Sequence, residues 1–130
     1  MKKEVKKILE SKEKQNNATP VSIEDIWSGK VRKVVHCDQE WQSEVLRSIN
    51  YEIMKELKRS PRHLTDMHYD EFGKNTCYGF SFSYGDIDFW KKQKYEVVEF
   101  NDVDMSKYIT NDEIKRIKKY YGIFDELTTY

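Results

Sequence analysis

Apolar positions recur with a helical period in one long stretch, residues 39–58, where Trp41, Val45, Leu46, Ile49, Ile53, Met54 and Leu57 share one broad arc at about 100° per residue. Glu44, Arg47, Glu52, Lys55 and Glu56 lie mostly off that arc. A helix so divided must cover a sheet. Asp38 stands before it as an N-cap, and Ser60-Pro61 stops it. A second helical pattern opens at Thr110, whose spacing to Glu113 is that of a capping box. One face of that helix carries Ile114, Ile117, Tyr120, Tyr121 and Phe124. The other carries Lys115, Arg116, Lys118 and Lys119, and Gly122 is placed to end it.

Between and before these helices the pattern shortens to a period of two. Residues 31–36 are β-branched enough for a strand. Residues 64–72 and 77–84 predict two strands of a hairpin joined by Gly73-Lys74-Asn75-Thr76, and residues 95–100 predict a further strand. Upstream, Ser22 caps a short helix that runs through Trp27 and ends at Gly29. The first sixteen residues favour helix but offer only Val5, Ile8 and Leu9 for burial, and the run Asn16 to Pro20 breaks the chain. The organisation that follows is a charged N-terminal arm or helix over 1–17 and a single α+β domain over 18–130. Its expected architecture is an antiparallel sheet of three to four strands with two main helices packed on one face, plus the N-terminal helical arm.

The most strongly patterned segment is 77–85. At a period of two, Tyr78, Phe80, Phe82 and Tyr84 share one face, while Cys77, Gly79, Ser81, Ser83 and Gly85 share the other. The aromatic face is expected to pack under the helices, leaving the small face open to solvent or to another chain. Exposed aromatics would instead stack bases. Tyr78-Gly79-Phe80 overlaps the octamer of RNA-recognition domains only in part. Thr76 and Cys77 stand where a basic residue and a glycine belong, and Ser83 stands where the last aromatic belongs. Helix, three strands, helix is also the order of double-stranded RNA-binding domains, yet Asp112 and Glu113 occupy the turn where those domains present lysine to phosphate.

Composition narrows the partners more than the fold. The 130 residues carry no formal net charge, so no global field selects nucleic acid or a membrane. Charge is distributed unevenly, however. Residues 1–15 hold six lysines against three acids, and residues 64–104 hold nine acids against four lysines. No apolar run is long enough for a signal peptide or a bilayer span, which points to the cytoplasm and to Cys37 and Cys77 as reduced thiols. Cys37 precedes a helix N-terminus, a position where a thiol pKa can fall. The single alanine and the excess of Lys over Arg suggest a low-GC bacterium, or a phage or mobile element of one.

Reactive constellations are sparse. Asp86, Asp88, Glu96, Glu99, Asp102 and Asp104 form the best carboxylate cluster for a Mg²⁺-dependent nuclease, but no lysine follows at the spacing such cores use. His36, Cys37, His63, His68 and Cys77 lack zinc-ligand spacing, and no phosphate-binding glycine loop occurs. No cofactor is therefore expected. The leading expectation is a non-enzymatic protein-binding module of the small inhibitor or immunity type. It would use Asp66, Tyr69, Asp70, Glu71, Asp86, Asp88, Phe89 and Trp90 against a basic protein surface. The alternatives are a nucleic-acid-binding domain, through the sheet aromatics or Lys115, Arg116, Lys118 and Lys119, and the Mg²⁺-dependent nuclease.

Overall fold

The computed structural model describes residues 20–59 and 67–123. The expected N-terminal arm and Asp66 lie outside the described residues. Within them the chain is a mixed helix and sheet fold.

Strand β1, Val21–Ser22, pairs in parallel with β6, Val103–Asp104. The Ser22 hydroxyl accepts from the Glu24 N–H at 3.2 Å and opens α1, Ile23–Ser28. Gly29, at φ +83°, closes the helix in the left-handed region and returns its N–H to the Asp25 and Ile26 carbonyls. Both caps are those the sequence predicts. Strand β2, Lys33–Cys37, is central to a four-stranded sheet of order β4-β3-β2-β5, with β3 at Thr76–Tyr78, β4 at Tyr84–Asp86 and β5 at Glu96–Glu99. The long helix α2, Glu40–Glu56, buries Trp41, Val45, Leu46, Ile49, Ile53 and Met54 as its period requires. Its N-cap is Gln39 rather than Asp38. The Gln42 side-chain oxygen accepts from the N–H groups of Asp38 and Gln39 at 2.9 and 3.4 Å, so the first turn needs no aspartate cap.

Three expectations are corrected. The sheet is mixed rather than antiparallel, because β2 and β5 run in parallel, Val34 opposite Val97 and His36 opposite Glu99. β4 and β5 thus point the same way, and a crossover rather than a tight turn must join them. That crossover is α4, Ile87–Lys92. Second, the hairpin lies later than predicted. Tyr69–Phe72 is a single helical turn, α3, with Asp70 and Glu71 in its first turn, where carboxylates favour the helix dipole. A 3-10 turn, Gly73–Asn75, then leads into β3. The hairpin is β3 and β4, with Tyr78 opposite Tyr84 and Cys77 opposite Gly85.

Third, helices cover both faces of the sheet. On one face α1, α2 and the C-terminal α5, Asn111–Tyr120, enclose the main core with Val35, Cys37, Tyr78, Phe82 and Phe100. On the other, α4 lays Trp90 against Val34 and Cys77, flanked by Ile87, Tyr95 and Val97. At Gly79 and Gly85 the rings of α4 leave no room for a side chain. A Cβ on Gly79 would stand 3.0 Å from a Val34 methyl and 3.1 Å from the Trp90 ring, and one on Gly85 would stand 2.6 Å from the Phe89 ring. At Cys77, Gly79 and Gly85 the face expected to be open is closed by this close approach, while Ser81 and Ser83 stay half-exposed.

Candidate functional site

The alternation that groups Tyr78, Phe80, Phe82 and Tyr84 fails at Gly79, where the strand stops and Phe80–Phe82 forms a 3-10 turn. The Gly79 N–H donates to the Ser83 carbonyl at 2.7 Å, and the N–H groups of Phe82 and Ser83 donate to Gly79 and Phe80 at 3.0 Å. Ser81 and Phe82 sit at φ 51° and 63°, a left-handed pair without glycine. Each such residue costs about 1–2 kcal/mol. Packing compensates that strain: the Phe82 ring stacks on Tyr78 at 4.8 Å and on Trp27 at 5.7 Å between centroids. Tyr78 is fixed in turn by its hydroxyl, which donates to the Met67 carbonyl at 2.6 Å.

With Phe82 turned in, Phe80 is turned out, 43% exposed. Helix α4 does the same for its neighbours. The Asp86 carboxylate accepts from the Phe89 N–H at 2.8 Å and starts the helix. Phe89 then projects into solvent, 46% exposed, while Trp90 lies under the hairpin at 4% with its indole N–H donating to the Cys77 carbonyl at 3.3 Å. Phe80 and Phe89 both present edges to Trp90, with centroids 6.5 and 5.2 Å away and interplanar angles of 81° and 79°. Two exposed rings therefore rest on one buried platform.

The residues expected to bind a partner are distributed unequally around this cluster. Trp90 is corrected from exposed anchor to buried support. Asp88 and Phe89 are exposed beside it, and Asp86 is partly occupied by its capping bond. Asp70 and Glu71 lie exposed on α3, beyond β4. There the His68 ring stacks flat on Tyr84 at 4.0 Å, and Glu71 meets His68 Nδ1 at 3.0 Å and the Tyr84 hydroxyl at 3.4 Å. Tyr69 is half-buried, and desolvation together with nearby Cys37, Asp38 and Glu40 raises its hydroxyl pKa. Residues 67–90 carry four carboxylates against the single Lys74. Sequence reasoning missed Phe80, because a period of two places it with Tyr78 and Phe82. The one local signal against that was Gly79, which breaks a strand as readily as it continues one.

The alternative constellations do not converge. Of the carboxylates considered for Mg²⁺, Glu96 meets Lys33 at 2.7 Å, Glu99 meets His36 at 2.8 Å, and Asp104 accepts from the Ser106 N–H and hydroxyl, which hold its pKa below the usual range. No three His, Cys, Asp or Glu side chains gather as a ligand set among the described residues. On α5, Lys118 lies over the Trp41 ring at 5.0 Å. Arg116 lines a groove of about 630 Å³ between α2 and α5 together with Glu44, Arg47 and Glu113, so cations and carboxylates alternate there.

One row resembles catalytic machinery until its geometry is followed. The register sets Glu99, His36 and Cys77 side by side on adjacent strands. His36 meets Glu99 through Nδ1 at 2.8 Å and the Lys74 carbonyl through Nε2 at 2.7 Å, so it ties β2 to β5 and to the turn before β3. Burial first, then the Glu99 and Asp86 charges, push the Cys77 thiol up to about 12. Burial raises Cys37 as well, against the lowering expected beside a helix N-terminus. Both cysteines are free and buried. Neither is expected to react with a thiol reagent in the folded protein at neutral pH, and both are expected to react fully in denaturant. Rapid labelling of either native thiol would contradict the packing described.

No protein-family model matches the chain, and comparisons with curated proteins and with solved structures give no significant match.

Proposed function

We propose that this chain is a protein-recognition module, of the kind that inhibits or neutralises another protein, and that it docks through Phe80 and Phe89 with Asp88 beside them, while Asp70 and Glu71 add negative charge elsewhere on the domain. The observation that carries this reading is the strained turn that holds Phe80 out while Phe82 is buried, beside a second exposed phenylalanine on the same tryptophan. Strain at a loop tip persists when surrounding packing over-determines it, and functional sites are where it concentrates. Two fixed aromatic rings offer a partner large apolar area with little side-chain entropy left to lose. The exposed carboxylates Asp70, Glu71 and Asp88 favour a partner with a basic surface and speed its encounter.

The Phe80→Ala/Phe89→Ala double variant tests this. Each truncation at an interface centre costs about 1–2 kcal/mol, so the dissociation constant for the cognate partner, recovered with the wild-type chain and then purified, is expected to rise about 30- to 700-fold. Asp70→Lys with Asp88→Lys is expected to slow association rather than speed dissociation. A purified partner that binds the double phenylalanine variant as tightly as wild type would move the interface elsewhere.

A further inference from the structure

A second surface emerges from segments about sixty residues apart. Lys30 and Arg32 precede β2 and Lys33 begins it, while Lys91 and Lys92 end α4 and Lys94 follows it. The fold joins them. The Glu96 N–H donates to the Arg32 carbonyl at 2.9 Å, the Arg32 guanidinium donates to the Gln93 carbonyl, and the same guanidinium lies 4.2 Å from the centre of the Tyr95 ring. Tyr95 packs edge-on against Trp90 at 4.9 Å, which fixes the stack to the sheet. Of the six cations, Lys33 is matched by Glu96 at 2.7 Å, and Lys30, 73% exposed at its side chain, makes a long contact to Asp25 at 3.9 Å. Arg32, Lys91, Lys92 and Lys94 are exposed and form no ion pair among the described residues.

We infer that this basic patch binds the phosphate backbone of a nucleic acid. The inference is independent of the phenylalanine surface. Lysines clustered with a stacked, preorganised arginine are the electrostatic footprint of a polyanion site. An anionic membrane fits less well. It presents a plane, and Asp86 and Asp88 begin the same six-residue helix whose end carries Lys91 and Lys92, so a flat contact would bring carboxylates to the lipid. A phosphate strand can follow the cations and pass the acids by. Contacts to phosphate position without reading sequence, so base preference is expected to be weak.

The test is fluorescence anisotropy with labelled 20-nucleotide single strands and a duplex of the same length, from about 20 to 200 mM salt. Binding is expected in low salt, falling with a log–log slope of about −2 to −4, as for three to five neutralised phosphates. The two probes decide whether the backbone is presented as a strand or as a duplex. Lys91→Glu/Lys92→Glu/Lys94→Glu is expected to weaken binding at least about 100-fold. Lys30→Glu/Lys92→Glu, split between two elements, guards against loss of α4, with circular dichroism confirming the fold of each. Arg116→Glu/Lys119→Glu on α5 should leave binding unchanged. The proposal is overturned by no binding at 20 mM salt, by salt-independent binding, by loss in the α5 variant alone, or by binding to phosphatidylserine vesicles without binding to either oligonucleotide. The phenylalanine double variant should bind the oligonucleotides as wild type does.

Discussion

Trp90→Ala is expected to lower the stability of the domain by about 3–5 kcal/mol, a fall of roughly 10–20 °C in thermal midpoint. Trp90 is 4% exposed and is the largest residue between α4 and the sheet. Gly79 and Gly85 have no Cβ to fill the space it would vacate, and the positions of Phe80, Phe89 and Tyr95 all depend on its ring. Local collapse would therefore be incomplete, which is the condition under which a large-to-small change costs most. Trp90→Phe keeps an aromatic platform but drops the bond to the Cys77 carbonyl, and should cost about 1–2 kcal/mol. Calorimetry on the two variants checks this. A midpoint shift of only a few degrees for alanine would mean that α4 does not pack as described, and with it both proposed surfaces would lose their support.

Helices α1, α2 and α5 were the legible part of this chain. α1, α2 and α5 each carry their own caps and period within the segment, at Ser22 and Gly29, in the arc from Trp41 to Met54, and at Thr110 with Glu113. These are local interactions, and a single sequence contains them. Sheet geometry is not local. The pairing of β2 with β5 links residues 63 apart, as in Lys33 with Glu96, and no feature of either strand announces a parallel neighbour. α4 has six residues, too few for a helical period to separate the buried Trp90 from the exposed Phe89. That is why two adjacent aromatics shared one expected role in the sequence and have opposite ones in the fold. The basic patch was invisible for the same reason as the parallel pairing. Summing charge over 64–104 averaged Lys91, Lys92 and Lys94 into an acidic region, whereas the fold brings Arg32 against Gln93 and Glu96 in the same stretch.

The hairpin tip supplies a second large and discriminating effect, because Phe80 and Phe82 are two residues apart and should respond oppositely. Phe82→Ala removes a ring that is 5% exposed and stacked between Tyr78 and Trp27, and it also removes the packing that holds Ser81 and the following residue in left-handed conformations. Its expected cost is about 3–4 kcal/mol. Phe80→Ala removes a ring nearly half in solvent and should cost less than about 1 kcal/mol, while carrying its share of the loss of partner affinity. Urea denaturation of both variants, with matched m-values, separates the two outcomes. A strand continuing through Gly79 would place both rings on one buried face and make the two costs comparable. Equal destabilisation by Phe80→Ala and Phe82→Ala would restore that simple alternation and remove the structural reason for assigning Phe80 to recognition.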